Sequence, residues 1–333
     1  MRPRSAAKTR EFSVIDTHTA GEPTRILAGY TKVRGASIFE IKKRLQTEHD
    51  WLRRFLLREP RGHSDMFGAI LLRPKTPGCD IGVVFMDNGG YLDMCGHGII
   101  GAVTCAVETR FIKPKVQITV ETPAGVVRTR IVTRGRRVES VSFENVPAFK
   151  LKETQITLDG NRIPIDIAFG GNFFAHLYAS DVGLAIEPGN RSKIIDLGIR
   201  IRDAVNRQVN VRHPEKPAIN NVELVEFSGP PKSEDSNAQN VVVFGQGQID
   251  RSPCGTGTCA KMALLHSEGK LKIGERFVHE SIIGTRFEGR LISKTNVGDH
   301  EAVVPEITGS ASIIGFNRLI FDRMDPFVEG FLL

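Results

Sequence analysis

No stretch of the 333-residue chain reaches the roughly 18–20 apolar residues that a membrane helix needs. The basic start, MRPRSAAKTREF, leads into no apolar run of the kind a secretory signal carries. That start is expected to be a short disordered or peripheral tail, and the protein to work in the cytoplasm with neither membrane nor nucleic acid as partner. Five cysteines occur, Cys79, Cys95, Cys105, Cys254 and Cys259, with no C-x-x-C pair among them. The missing pair argues against a structural zinc site. An odd count in a long chain argues against a disulfide framework and for a reducing compartment. No motif for pyridoxal phosphate, a nicotinamide or a metal is visible, so no cofactor and no metal are expected. The net charge of +7 is scattered, and its densest cluster, Arg134-Gly-Arg-Arg137, falls where a strand-turn-strand is expected. No DNA- or RNA-binding signature accompanies it.

What is present is an ordinary globular composition, 40% hydrophobic and 25% charged, on a chain long enough for two lobes. Ser37 to Glu59 reads as one amphipathic helix, with Ile38, Ile41, Leu45, Leu52, Phe55 and Leu56 at helical spacing. Ser37 and Glu40 fit a capping box, and Pro60 closes the segment. Asp80 to Phe85 alternates like a strand, and Val116 to Val146 reads as two or three strands. Residues 191–209 read as a second amphipathic helix with Ile194, Leu197, Ile201 and Val205 on its stripe, and residues 228–236 as a polar loop.

The chain also repeats itself. Val83-Val84-Phe85 is followed, ten residues after the phenylalanine, by Cys95-Gly-His-Gly98; Val242-Val243-Phe244 is followed at the same distance by Cys254-Gly-Thr-Gly257. The offset is 159 residues without a gap, and each motif leads into a run of small and apolar residues that reads as a buried helix. Two related α/β halves are therefore expected: residues 1–145 with 305–333 as the first lobe and 146–304 as the second. Each lobe wraps a central helix, and the site lies in the cleft between them.

A cysteine at a helix start sits among unpaired backbone N–H groups at the positive end of the helix dipole, which lowers its thiol pKa. The same N–H groups make an anion site, and the glycines let a ligand come close. Two such starts could hold one carboxylate with a thiol on either side. Inverting a carbon centre needs that arrangement: one base removes the α-proton from one face and a conjugate acid returns a proton to the other. Each residue also has a plainer reading. His97 could be a core histidine, and Asp93 and Asp250 could be turn residues before their helices. Cys105 and Cys259 lie inside the helical runs and read as packing residues; Cys79 reads as a loop cysteine.

Asp93-Met-Cys-Gly-His-Gly98 and Asp250-Arg-Ser-Pro-Cys-Gly-Thr-Gly-Thr258 resemble the two active-site motifs of the proline racemase family. His18-Thr-Ala-Gly-Glu-Pro23, Glu59-Pro-Arg-Gly-His63, Asp65-Met-Phe-Gly68, Phe169-Gly-Gly-Asn172 and Gly315-Phe-Asn317 extend the resemblance over nearly the whole chain. The resemblance implies a diaminopimelate-epimerase-like α/β fold and a homodimer acting on proline or hydroxyproline. It implies Cys95 and Cys254 as the acid/base pair, and backbone N–H groups of Gly96, His97, Gly255 and Thr256 as the carboxylate grip. Asp250 would pair with the ring ammonium. Phe67 and Phe244 match the phenylalanines that face an unsubstituted ring, although core packing would account for them equally well. They favour proline over 4-hydroxyproline, whose ring hydroxyl would lack a hydrogen-bond partner at a cost of about 1–3 kcal/mol. A threonine in place of the second cysteine would mark a trans-3-hydroxyproline dehydratase; Cys254 disfavours that. A diaminopimelate epimerase would need a second recognition site, to which nothing in the sequence points. A non-catalytic thiol protein of the same fold is the remaining rival.

Overall fold

A computed structural model of the protein describes residues 9–29 and 33–333. Residues 1–8 of the expected tail lie outside the described residues. Arg10 to Phe12 do not belong to a tail, because they open strand β1 (Arg10–Thr19) and Phe12 is buried against Phe55 and Phe321. The chain forms two compact units: residues up to Thr19 with Pro23–Glu139 and Ala311–Leu333, and Ala20–Glu22 with Ser140–Ser310.

In the first unit β1 is followed by β2 (Glu22–Ala28), helices α1 (Ile38–Glu48) and α2 (Asp50–Leu57), β3 (Phe67–Leu72), β4 (Ile81–Met86) and the short β5 (Tyr91–Leu92). Then come helix α3 (Gly96–Glu108), β6 (Gln117–Thr122) and β7 (Gly125–Arg134), with β8 (Arg137–Glu144) running on into the second unit. The last strand, β18 (Ala311–Phe321), returns to pair antiparallel with β1. β2 lies parallel to β3, β3 antiparallel to β4, and β4 parallel to β6. β3 and β4 are buried at every residue, because both faces of the sheet are covered. Val84 and Met86 join Leu45, Leu52, Phe55 and Leu56 of α1 and α2 in one core, while Phe85 points the other way onto Gly98 of α3.

The expected single helix over 37–59 is two helices, broken at His49, whose backbone (φ −133°, ψ 22°) leaves the helical region. The apolar spacing continues across the break, so periodicity alone does not reveal it. Ser37 caps α1 as expected, accepting from Glu40 N at 3.1 Å, but Glu40 reaches back to Ala36 N rather than to Ser37.

The second unit repeats the plan with β9 (Ala148–Leu158), β10 (Asn161–Phe169), β11 (Phe173–Tyr178), helix α4 (Arg191–Gln208), β12 (Leu224–Gly229), β13 (Ala238–Phe244) and β14 (Gln248–Ile249). Helix α5 (Gly255–Ser267), β15 (Arg276–Glu280), β16 (Arg286–Val297) and β17 (His300–Gly309) complete it. β11 is parallel to β12, β12 antiparallel to β13, and β13 parallel to β15, as in the first unit. β17 pairs back with β9, closing these strands into a barrel around α5. Val243 packs on Gly198 of α4 and Val242 on the α5 side with Ala260 and Leu264. The 159-residue offset holds in three dimensions: α3 and α5 are both 13 residues long, and each begins at the residue after its cysteine.

Candidate active site

Cys95 ends an extended approach (φ −149°, ψ 120°) and is the N-cap of α3. Its Sγ lies 3.5 Å from His97 Nδ1 and 3.7 Å from Nε2. Burial pushes the His97 imidazole down to about 3, so the ring is neutral. Its plane stands on edge against Phe67, 4.5 Å between centroids, and its carbonyl accepts from Thr19 Oγ1 at 2.9 Å. The glycines of the motif answer to space. A Cβ on Gly98 would meet Phe85 at 2.7 Å and the Cys95 sulfur at 3.1 Å; one on Gly101 would meet the hydroxyls of Thr17 and Thr19. Asp93 is not part of this cluster, because it turns to solvent and pairs with Lys42. Thus Cys95, Gly96, His97 and Phe67 come together in the first unit.

Cys254, the N-cap of α5, takes a left-handed backbone (φ +59°) and accepts from Gly257 N through its sulfur at 3.4 Å. Thr256 Oγ1 lies 3.7 Å from the same sulfur. Asp250 is 6% exposed and accepts from Ser252 N at 2.8 Å and Ser252 Oγ at 2.7 Å; Ser252 Oγ in turn accepts from Cys254 N. This Asp-Ser-Cys chain fixes the approach to the helix. Phe244 ends β13, buried. Burial raises Asp250 to about 6. Burial first, then Asp250, lift the Cys254 thiol well above its ordinary value. The expected lowering by the helix start is therefore outweighed at Cys254: desolvation of a thiolate and a neighbouring carboxylate exceed the pull of the dipole and of the Gly257 N–H.

Two motifs that carried the resemblance have packing reasons. A Cβ on Gly170 would stand 2.2 Å from Thr256 O and 2.6 Å from Ala260 N, so the chain leaving β10 can pass the start of α5 only as glycine. In His18-Thr-Ala-Gly-Glu-Pro23, Glu22 is fully buried and accepts from Arg251 N at 2.7 Å, bracing the Asp250 loop. Sequence reasoning singled out neither Glu22 nor Ser252 for a role. An isolated glutamate or serine carries no signal until the loop it holds is known. Cys105 and Cys259 are buried inside α3 and α5, and burial raises both thiols. Cys79 lies in a loop. Among the described residues no group of His, Cys, Asp and Glu could hold a metal ion, and no helix is long and apolar enough to cross a membrane.

The duplicated α/β unit, each copy built around a buried helix, has the diaminopimelate-epimerase-like fold of its solved relatives, and each helix here starts at a cysteine. Within that class the chain belongs to the proline racemase family, whose model matches residues 14–332. It is 47% identical to the proline racemase of Clostridioides difficile over 98% of this chain and 99% of that one. It is 40% identical to the 4-hydroxyproline 2-epimerase of Ancylobacter novellus, covering 97% and 98%. Among solved structures it is similar to a hydroxyproline epimerase from Agrobacterium vitis with bound trans-4-hydroxy-L-proline. That match has a TM-score of 0.87 and 32% identity, and covers 97% of this chain and 96% of that chain.

Proposed function

We propose that this chain is a cofactor-independent proline racemase that interconverts L- and D-proline with Cys95 and Cys254 as paired acid and base. The observation that carries the reading is the duplication itself: two buried helices in register, each with a thiol at its first turn. One thiolate removes the α-proton; the other thiol delivers a proton to the opposite face, and the roles exchange in the reverse direction. Backbone N–H groups of Gly96, His97, Gly255 and Thr256 grip the carboxylate, where negative charge grows as the α-proton leaves. Ionised Asp250 takes the ring ammonium. Neutral His97 hydrogen-bonds to the Cys95 sulfur without competing for the proton. Phe67 and Phe244 flank an unsubstituted ring, which favours proline over 4-hydroxyproline. The active species is proposed to be a homodimer, which sedimentation equilibrium would test.

Reduced protein incubated with L-proline in deuterium oxide should incorporate α-deuterium while optical rotation decays to zero. Cys95→Ala and Cys254→Ala should each abolish the decay of optical rotation. Reaction with trans-4-hydroxy-L-proline alone would overturn the ring argument and make the protein an epimerase. Racemisation that survives loss of either cysteine would overturn the two-thiol mechanism.

A further inference from the structure

Strand register lines the two units up residue by residue. Leu71 lies opposite Val83 in the first unit, and Glu226 lies opposite the matching Val242 in the second. One strand further, Ala28 pairs with Leu71 and His176 with Glu226. The 159-residue offset adds Val120, Ile99 and Ala102 against His279, Thr258 and Lys261. The surroundings of α3 are therefore apolar at five places where those of α5 are polar or ionisable.

The polar set is tightly enclosed. Glu226 and His279 have no exposure, and His176 has 3%. His176 Nδ1 and His279 Nε2 lie 3.5 and 3.9 Å from Glu226 Oε1, and Thr258 Oγ1 is 3.0 Å from His279 Nδ1. Neither Glu226 oxygen has a hydrogen-bond partner among the described residues. Oε2 stands 2.4 Å from the place a Gly257 Cβ would take, and Cys254 Sγ stands 3.3 Å from that same place. Carboxylate and thiol both border the space that a side chain at Gly257 would fill.

We propose that Glu226 is a positioning residue for Cys254, whose buried charge biases that thiol toward its protonated form, so that the two cysteines rest in unlike states, Cys254 as the acid and Cys95 as the base. The inference rests on the racemase reading above. The other charged or titratable groups around Cys254 are Asp250 and Arg251 on its own loop, Glu22 behind Arg251, His176 and Tyr178 on β11, His279 on β15 and Lys261 on α5. Burial pushes His279 down to about 4, so it is neutral, and the Lys261 ammonium sits over the Tyr178 ring at 5.0 Å. Asp250 is engaged by Ser252. Burial alone would protonate Glu226, but His176 first, and then the Lys261 ammonium, hold its carboxyl below the ordinary value. Its charge acts in the same direction as burial and Asp250 on the Cys254 thiol.

The test is the pH dependence of alkylation by iodoacetamide, read separately at Cys95 and Cys254 from peptide fragment ions. In the wild-type protein Cys254 should titrate above Cys95. Glu226→Gln should lower the Cys254 midpoint by about one pH unit and leave Cys95 in place, whereas Glu226→Asp should stay near wild type. Cys254 titrating at or below Cys95 in the wild type, or a midpoint unmoved by Glu226→Gln, would overturn the proposal. So would equal shifts in the Gln and Asp variants. If Glu226→Gln does not fold, the wild-type order of the two midpoints and the Asp variant decide. Alkylation needs no turnover, so α-deuterium exchange measured beside it separates failure of this inference from failure of the racemase reading.

Discussion

Asp250 and His97 are both buried, and burial moves their titrations in opposite directions. Burial holds His97 neutral down to about 3, whereas it raises Asp250 to about 6. If Asp250 binds the substrate ammonium as proposed, that role needs the ionised carboxylate, and kcat/KM for proline should fall below pH 6 with Asp250 as the responsible group. Asp250→Asn should lower kcat/KM and erase that acid limb; a limb that persists would assign it elsewhere. The same shift acts on stability. Asp250 has a folded-state pKa above its unfolded value of 3.8, so the folded state binds the extra proton between those values. Its contribution is most favourable below pH 3.8 and is lost as pH rises through about 6. Asp250→Asn should therefore raise stability at pH 8 by roughly 3 kcal/mol and change little near pH 3.5. Denaturant unfolding at the two pH values checks this; an equal effect at both would mean that the charge is not the cause.

Helix α5 enters its barrel through a gap made of backbone. Gly170→Ala would place a methyl against Thr256 O and Ala260 N, both backbone atoms of the turn that presents Cys254, and neither can rotate away. It should cost about 2–3 kcal/mol of stability and lower the exchange rate, while Gly189→Ala, which meets nothing within 4 Å, should change neither. Urea midpoints for the two variants decide; equal midpoints would mean that β10 yields. At this scale the sequence is legible where a pattern is local. α3, α5 and α4 follow from repeat and periodicity, and β6 to β8 from their β-branched runs and the Gly135 turn. The break at His49 is not legible, because Leu45 and Leu52 keep one apolar phase through it. The ionic set behind Cys254 is not legible either. His176, Glu226 and His279 come from three strands and share a locality only through sheet register.

Over the whole molecule the repeat in the sequence foretells two like units and both cysteine-capped helices, but not how the ends of the chain meet. Ten residues of β1 pair with β18 from Arg10↔Phe321 to Thr19↔Ala311. Phe12 is buried beside Phe321 and Phe55 at that seam. Deleting residues 311–333 should strip β1 of β18, leave it paired with β2 on one edge alone, and open the first unit to protease. The second unit, whose strands close within residues 140–310, should resist. Limited proteolysis read by mass spectrometry would show cleavage confined to residues 10–139; uniform resistance would make β18 dispensable.

The pairing of β1 with β18 also sets an order of events at the ribosome. β1 can pair with β2 as soon as that strand follows it, but its other edge must wait for β18, with residues 140–310 of the second unit synthesised in between. At about 5–20 residues per second, that interval lasts of the order of tens of seconds. During it the later-made barrel can close while the earlier-made half still lacks one edge partner, so this protein is expected to mature from its second half backward and to need shielding of the open edge of β1 until β18 has followed.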